Sequence, residues 1–478
     1  MRSGFMAPRH PLASIDWDRL LTRRDVLRLG ALVAGGSAVS AIAGACAPRR
    51  EAASAASPGS SGSSAARSGP TGQLTMIAGG GDPMAEPPLR KVFDEFASQH
   101  PGLSWDVRAL PGGGPEWDRL ARALLASGEP VDLIMINGQQ LRSWARDGLL
   151  ADLTADSHLA DVLARVPAKF QIGGPGETAT RAFPLAMTRG VQTTGLYYNK
   201  ALLDEAGLAV PRTIADLGAM VGPLAKLGSA PLVHCSGDVF FNQILLTWVL
   251  PMIVERSGGD ANAFADSTVK GDIRYDSPEW VEAFTTIENF RKDGVMLEGS
   301  GATDYLAMQQ LFLQGKAATT FQGSWMLAQI QAGTAPRPFD VHVAPPPLVD
   351  GATRPRPILA WAGFALPATA SRPRDAAYAF LEYASRQEVD REVTAGSQSY
   401  SPIAASNDTI TNPVAREFLP LFDDAISPLD WLWEPEITAE IDSQVQALVK
   451  GTTDAPSATH AVQAVASELR ASGRSYYR

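Results

Sequence analysis

Apolar residues recur along this chain with two alternating periods. "QLTMIAG" is a short apolar run of strand type, and "PPLRKVFDEFASQHPG" then sets Leu89, Val92, Phe93 and Phe96 on one helical face, with proline in front and Pro-Gly behind. "LSWDVRAL" reads as the next strand. "PEWDRLARALLASGE" returns to helical spacing at Trp117, Leu120, Ala121, Leu124 and Leu125. "VDLIMIN" is nearly continuous in apolar residues, as a strand buried on both faces must be. Strand, helix, strand, helix, strand implies a parallel, doubly wound sheet.

A second set begins near Gly195. "TGLYYNKALLDEAGL" gives a strand and a short helix closed by Gly207, and "PRTIADLGAMVGPLAKLG" a helix with Ile214, Leu217, Val221 and Leu224 inward. "APLVHCSG", "AATTFQG" and "FDVHVAP" read as further strands, and "PEWVEAFTTIENFRKDG" as an amphipathic helix ending at Gly294. The roughly 400 residues beyond the N-terminal region exceed what one core usually serves. The expected fold is therefore α/β, with two doubly wound lobes. Ligands of such sheets bind outside the carboxyl ends of the parallel strands, here near the cleft between lobes.

The N-terminal region follows neither period. Leu29–Ala45 is an uncharged run of 17 residues, diluted by four glycines and two serines, behind Arg23 and Arg24. A membrane-spanning helix wants about 20 mostly apolar residues, whereas an export signal has a charged leader, a short apolar stretch and small residues at its end. Paired arginines in that position are read by the twin-arginine route. Ala43, Gly44 and Ala45 leading into Cys46 look like a lipoprotein acylation site, although Ala43 stands where leucine is usual; the alternative is a cleaved secretory signal with an incidental cysteine. Beyond it, "RREAASAASPGSSGSSAARSGPTG" has no large apolar residue, and such a segment cannot offset its ordering entropy. Residues 1–45 read as signal peptide and 46–72 as lipidated cysteine and disordered linker.

Charge and cysteine content narrow the partners. Removing residues 1–45, with six arginines and three acidic residues, takes the net charge from −10 to −13. Nucleic acid is not an expected partner, because no basic stripe is present to neutralise phosphates. With Cys46 acylated, Cys235 is left alone in an apolar setting, where a buried, inert thiol is expected.

Catalytic signatures are sparse. The six histidines are scattered, with no HExxH or CxxC, so no metal site and no cofactor is expected. The mature chain has no G-x-S-x-G elbow. "GGGD" at Gly79–Asp82 could present amides to an anion, but reads equally as a tight turn. The tryptophans carry more. Trp325 follows Gly323 and Ser324 after a strand, Trp361 stands beside Gly363 before one, and Trp431, Trp433 and Glu434 precede a helix. Aromatic faces flanked by small or carboxylate residues suit sugars, whose C–H edges lie on indole while polar side chains pair with hydroxyls. Burial in the core remains the alternative for each tryptophan.

Four stretches in order resemble the carbohydrate branch of the bacterial extracellular solute-binding proteins, the maltose-binding-protein-like family. They are "VFDEFASQHPGLSWDV", "EPVDLIMINGQQLRSWARDGLLADLT", "AFPLAMTRGVQTTGLYYNKALLDEAGLAVPRTIADL" and "LQGKAATTFQGSW". The resemblance implies a type II periplasmic-binding-protein-like fold, closing over one ligand about crossings near Ala186–Met187 and Trp361–Gly363. It implies an N-terminal lobe of 73–187 plus 361–402 and a C-terminal lobe of 188–360 plus 403–478. By motif it carries ligand contacts to Gly80, Gly81 and Asp82, to Asn137, Gln139 and Gln140, to Asp238, Phe240 and Asn242, to Trp325, and to Trp431, Trp433 and Glu434. "TRGVQTTG" is longer than in the maltose type and brings in Arg189, and the first strand ends in glycines where relatives carry an aromatic. Maltose itself is therefore not expected.

The implied protein is a monomeric, non-enzymatic lipoprotein, exported and lipid-anchored to the extracytoplasmic side of the cell membrane. It would capture a carbohydrate for the permease subunits of an ABC importer. Two alternatives stay open: an anchored glycan-processing enzyme, and a binding protein for a glycerophosphodiester, polyol or amino sugar. For the anchor, Cys46→Ala is expected to move the protein from the membrane fraction to the soluble or secreted fraction. A mutant that still fractionates with membranes, beside a wild type carrying no acyl mass, sinks the lipoprotein reading.

Overall fold

The computed structural model describes residues 72–79, 82–110, 114–172, 179–238, 241–327, 330 and 341–477; the expected signal, acylation site and linker lie outside them, apart from Gly72, which begins the first strand. Strand β1 (Gly72–Ala78) lies between β2 (Leu103–Ala109) and β3 (Leu133–Asn137) and runs parallel to both. The helix Pro87–Gln99 buries the predicted stripe, Leu89, Val92, Phe93 and Phe96. In β3, Leu133 to Ile136 are all buried, as the continuous apolar run required. Asp132 holds the base of this sheet: its Oδ2 accepts the Thr75 amide at 2.7 Å and its Oδ1 the Arg372 Nε at 2.9 Å.

The second half of the sheet is built from β4 (Val191–Asn199), β5 (Ala230–Leu232), β6 (Ala317–Gly323) and β7 (Val341–Ala344), with β8 (Leu359–Ala365) joining the two halves. The order is β2-β1-β3-β8-β4-β6-β5, with β7 also paired to β4. β8 pairs with β3 through Ala362–Ala365 and with β4 through Leu359–Trp361. β4 pairs with β8 through Val191–Thr193 and with β6 through Thr194–Tyr198. Each of these strands thus belongs to both lobes. The sheet is not parallel throughout: β1–β2, β1–β3 and β5–β6 are parallel, while every pairing of β4 and β8 is antiparallel. The crossing strands have no βαβ connection to their neighbours, so the geometry that makes such units parallel does not act on them.

Two apolar clusters flank this sheet. One gathers β1–β3 with Phe93, Phe96, Trp117, Trp144 and Phe380. The other centres on the helix Gln243–Arg256, buried without interruption from Gln243 to Val254, with Trp248, Trp280, Phe284 and Phe290. Phe241 and Trp325 pack against both. Strand β5 stops at Leu232, and the buried Val233, His234 and Cys235 continue past it. Burial pushes the Cys235 thiol far above its ordinary range and His234 down to about 4, so the thiol is inert as its setting implied. Among the described residues, no helix is long and apolar enough to cross a membrane.

The crossings are pinned by polar contacts. Thr188 Oγ1 donates to the Ala362 carbonyl at 2.6 Å and receives the Leu185 amide at 3.1 Å. Buried Asp390 accepts the Ala186 amide at 3.1 Å through Oδ1 and the Ser401 hydroxyl through Oδ2. A third segment joins where the Val191 amide donates to the Tyr400 carbonyl at 2.8 Å. That approach requires glycine at 190: its φ is +60°, and a Cβ there would sit 1.7 Å from the Tyr400 oxygen. Gly190→Ala is expected to destabilise the fold by more than ~1 kcal/mol, because the backbone conformation and the space both exclude a side chain. A denaturant midpoint unchanged from wild type would contradict this.

Candidate functional site

A cavity of about 270 Å³ opens at the crossing. Its roof comes from the carboxyl ends of parallel strands, where Gly79 follows β1 and Asn137, Gly138 and Gln139 end β3 and start a helix. Its back wall is the crossing itself, with Thr188, Arg189, Gln192 and Thr194 on one segment and Ile358, Ala360, Trp361 and Ala362 on the other. Its floor is the start of the buried helix, through Gln243, Ile244 and Thr247, with Trp325 and, from the turn Leu429–Leu432, Asp430 and Trp431 alongside.

Six of the residues expected from sequence meet at this wall: Asn137, Gln139, Arg189, Trp325, Trp361 and Trp431. Gly80, Gly81 and Phe240 lie outside the described residues. The remaining seven lie off the wall, held in the fold elsewhere. Asp82 Oδ1 accepts the Met84 amide at 2.9 Å and caps a short turn. Gln140 is buried in the helix after β3. Asp238 Oδ2 accepts the Tyr305 amide at 2.7 Å. Asn242 accepts the Ser236 hydroxyl and donates to the Asp442 carbonyl at 3.0 Å. Gly363 fits beneath the Phe183 carbonyl, which would lie 2.7 Å from an added Cβ. Trp433 packs in the second core, 5.7 Å from Trp280, and Glu434 Oε1 accepts the Tyr476 amide at 2.6 Å.

The indoles are held by glycines. A Cβ on Gly323 would fall 2.0 Å from the Trp325 ring, and one on Gly138 2.1 Å from Trp431, so each ring lies directly against a bare peptide. Trp361 meets Trp431 edge to face, with centroids 5.3 Å apart and planes at 88°, a favoured aromatic geometry. Gly323 thus supports one face of Trp325.

Among the described residues, two charged side chains line the cavity. Arg189, in the left-handed region at φ 63°, reaches Glu86 Oε1 through Nε at 2.9 Å and through a terminal nitrogen, and donates to the Gly79 carbonyl at 3.2 Å. Asp430 is 8% exposed, and burial without a counter-charge pushes its carboxyl up to about 7. Asp442 sits nearby with its own carboxyl raised by burial; its Oδ1 accepts the Gln243 amide at 2.9 Å. Sequence reasoning missed Asp430, Gln192, Thr194, Phe241, Gln243 and Thr247. The one available signal for Asp430 was an acid set among apolar residues in "SPLDWLW". Among the described residues, no group of three or more His, Cys, Asp or Glu is placed to hold a metal ion.

A cavity between two α/β lobes, walled by strands that belong to both, defines a two-lobed ligand-binding protein. The bacterial extracellular solute-binding protein model matches residues 81–390, and the chain belongs to that family. A probable sugar-binding periplasmic protein of Brucella suis is 24% identical over 243 residues, 49% of this chain and 54% of that one. The maltotriose-binding protein of Pyrococcus abyssi is 23% identical over 306 residues, 62% and 60% of the two chains. The chain thus spans little more than half the length of these curated relatives. The GacH receptor of Streptomyces glaucescens, solved unliganded and in complex with acarbose, superposes with a TM-score of 0.68 at 20% identity, covering 85% of this chain and all of that one.

The glycine platforms yield a direct test. Gly138→Ala is expected to drive the Trp431 ring from its seat, changing the near-ultraviolet circular dichroism and costing roughly 1–3 kcal/mol of stability by overpacking. An unaltered spectrum would show that the ring does not rest there.

Proposed function

We propose that this protein is the substrate-binding lipoprotein of an ABC importer, which captures a carbohydrate in the cleft and delivers it to permease subunits in the membrane. The observation that carries this reading is the wall itself. Trp325 and Trp431, each backed by glycine, stand beside the neutral amides and hydroxyls of Asn137, Gln139, Gln192 and Thr194. Apolar ring faces next to neutral hydrogen-bonding groups match a sugar, whose two faces are C–H and whose rim is hydroxyl. The relatives named as sugar-binding and the receptor complexed with acarbose support the same class. Export, acylation at Cys46 and tethering through residues 46–72 belong to the proposal, as do a monomeric state and lobes of 73–187 plus 361–402 and 188–360 plus 403–478.

Glycan hydrolysis calls for two carboxyl groups flanking the scissile bond. Among the described residues the wall offers one carboxylate, Asp430, while Asp442 is turned to the Gln243 amide. A binding role fits that wall better than a hydrolytic one.

Calorimetric titration with a panel of mono- and oligosaccharides, followed by chromatography of the recovered sugar, tests the reading. At least one sugar is expected to bind and to be recovered unchanged; cleaved product, or no binding across the panel, would overturn it. For the sugar that binds, Trp325→Ala is expected to weaken affinity by roughly thirtyfold, the value of an aromatic anchor worth ~2 kcal/mol. Its unfolding free energy should fall by well under the ~3–5 kcal/mol of an emptied core tryptophan site, because Trp325 is only partly buried.

A further inference from the structure

The fold treats the two charges at the cleft wall differently. Arg189 is already engaged by Glu86 and the Gly79 carbonyl. Asp430 is more than nine-tenths buried and lines the cavity, and among the described residues its carboxyl meets no cation and receives no hydrogen bond from another residue. It cannot easily swing away to water. Its turn is locked by the Trp433 amide donating to the Asp430 carbonyl at 3.2 Å, by Trp431 seated on Gly138, and by Trp433 packed in the second core.

We propose that Asp430 sets the specificity of the cleft for a carbohydrate bearing a basic nitrogen, bound as an ammonium against its carboxylate. The inference rests on the carbohydrate reading above and narrows it to amino sugars and aminated oligosaccharides. Three ligand types would fare differently at this position. A carboxylated sugar would meet a like charge, a repulsive element that excludes it. A neutral sugar would offer a hydroxyl but leave the carboxylate without a counter-charge, beside the second acid Asp442. An ammonium supplies the missing charge and restores ionisation of a carboxyl that burial lifts to about 7. The edge-to-face pair Trp361–Trp431 adds aromatic surface at the same wall, which also attracts cations.

Matched probes decide the matter. Glucosamine and galactosamine, as monosaccharides and as β-1,4-linked disaccharides, are titrated at pH 7 beside their N-acetylated counterparts, into the wild type and Asp430→Asn. The best amine is expected to bind the wild type at least tenfold more tightly than its acetylated partner, the least a desolvated charge pair should add. In Asp430→Asn its affinity should fall by roughly thirtyfold, with the acetylated probe changed less than about threefold. The apo variant should melt no lower than wild type, since an uncompensated buried charge has been removed. Acetylated probes binding the wild type as tightly as the amines, or both classes weakening equally in the variant, would overturn the proposal and leave the carbohydrate reading standing. Binding of no probe, together with failure of the neutral panel, would overturn both. If the variant does not fold, the wild-type comparison alone decides.

Discussion

Everything in this molecule that concerns a ligand depends on two strands serving two lobes at once. β4 and β8 change partners partway along their length, and the cavity opens where they do so. Glycine at 190 lets the backbones close to hydrogen-bonding distance, and Thr188, Asp390 and Ser401 satisfy the polar groups that this crowding buries. Buried amides and carbonyls left unpaired there would each cost about 1–3 kcal/mol, so the contacts are a condition of the crossing. The crossing joins those hydrogen bonds to buried apolar neighbours, Leu185, Met187, Val191 and Phe364.

The second theme is glycine beneath indole. Trp325 and Trp431 rest on bare peptides, at the end of β6 and at the first turn of the helix after β3. A tryptophan on an ordinary wall retains rotamer freedom, which it loses when a ligand binds. Seating one face on a peptide removes that freedom in advance, so less ordering remains to be done on association. The same seating fixes which ring surface is left for the cavity.

Much of the fold was legible because it rests on local periodicity. The stripe at Leu89, Val92, Phe93 and Phe96 and the unbroken run in β3 each allow one packing solution, and both elements formed as the pattern required. The antiparallel crossings were not legible, because a strand's direction depends on where its distant partner lies. The site was legible in part for a related reason. Trp431 and Trp433 are two residues apart on one turn; one faces the cavity and the other the core beside Trp280. Nothing in their spacing separates them. Glu434 was drawn by its neighbours yet caps the amide of Tyr476, a contact 42 residues away in sequence. Asp430 was passed over because an acid in a loop is ordinarily solvated, and its burial comes from tertiary packing of the turn against Gly138 and the second core.

That burial changes how the overall charge should be understood. A net of −10 spread over a surface is screened within roughly 8–10 Å by physiological salt, and it biases encounter rather than recognition. A single carboxyl inside a low-dielectric cleft is screened far less, and the guanidinium of Arg189, on the back wall of the same cavity, is occupied by Glu86. The Arg189–Glu86 ion pair ties the segment after β1 to the crossing. The carboxyl in the floor keeps its unmet demand for a positive charge. Specificity in this cleft therefore rests on an arrangement of partners as much as on shape: the fold satisfies the cation of the wall and leaves the anion for whatever enters.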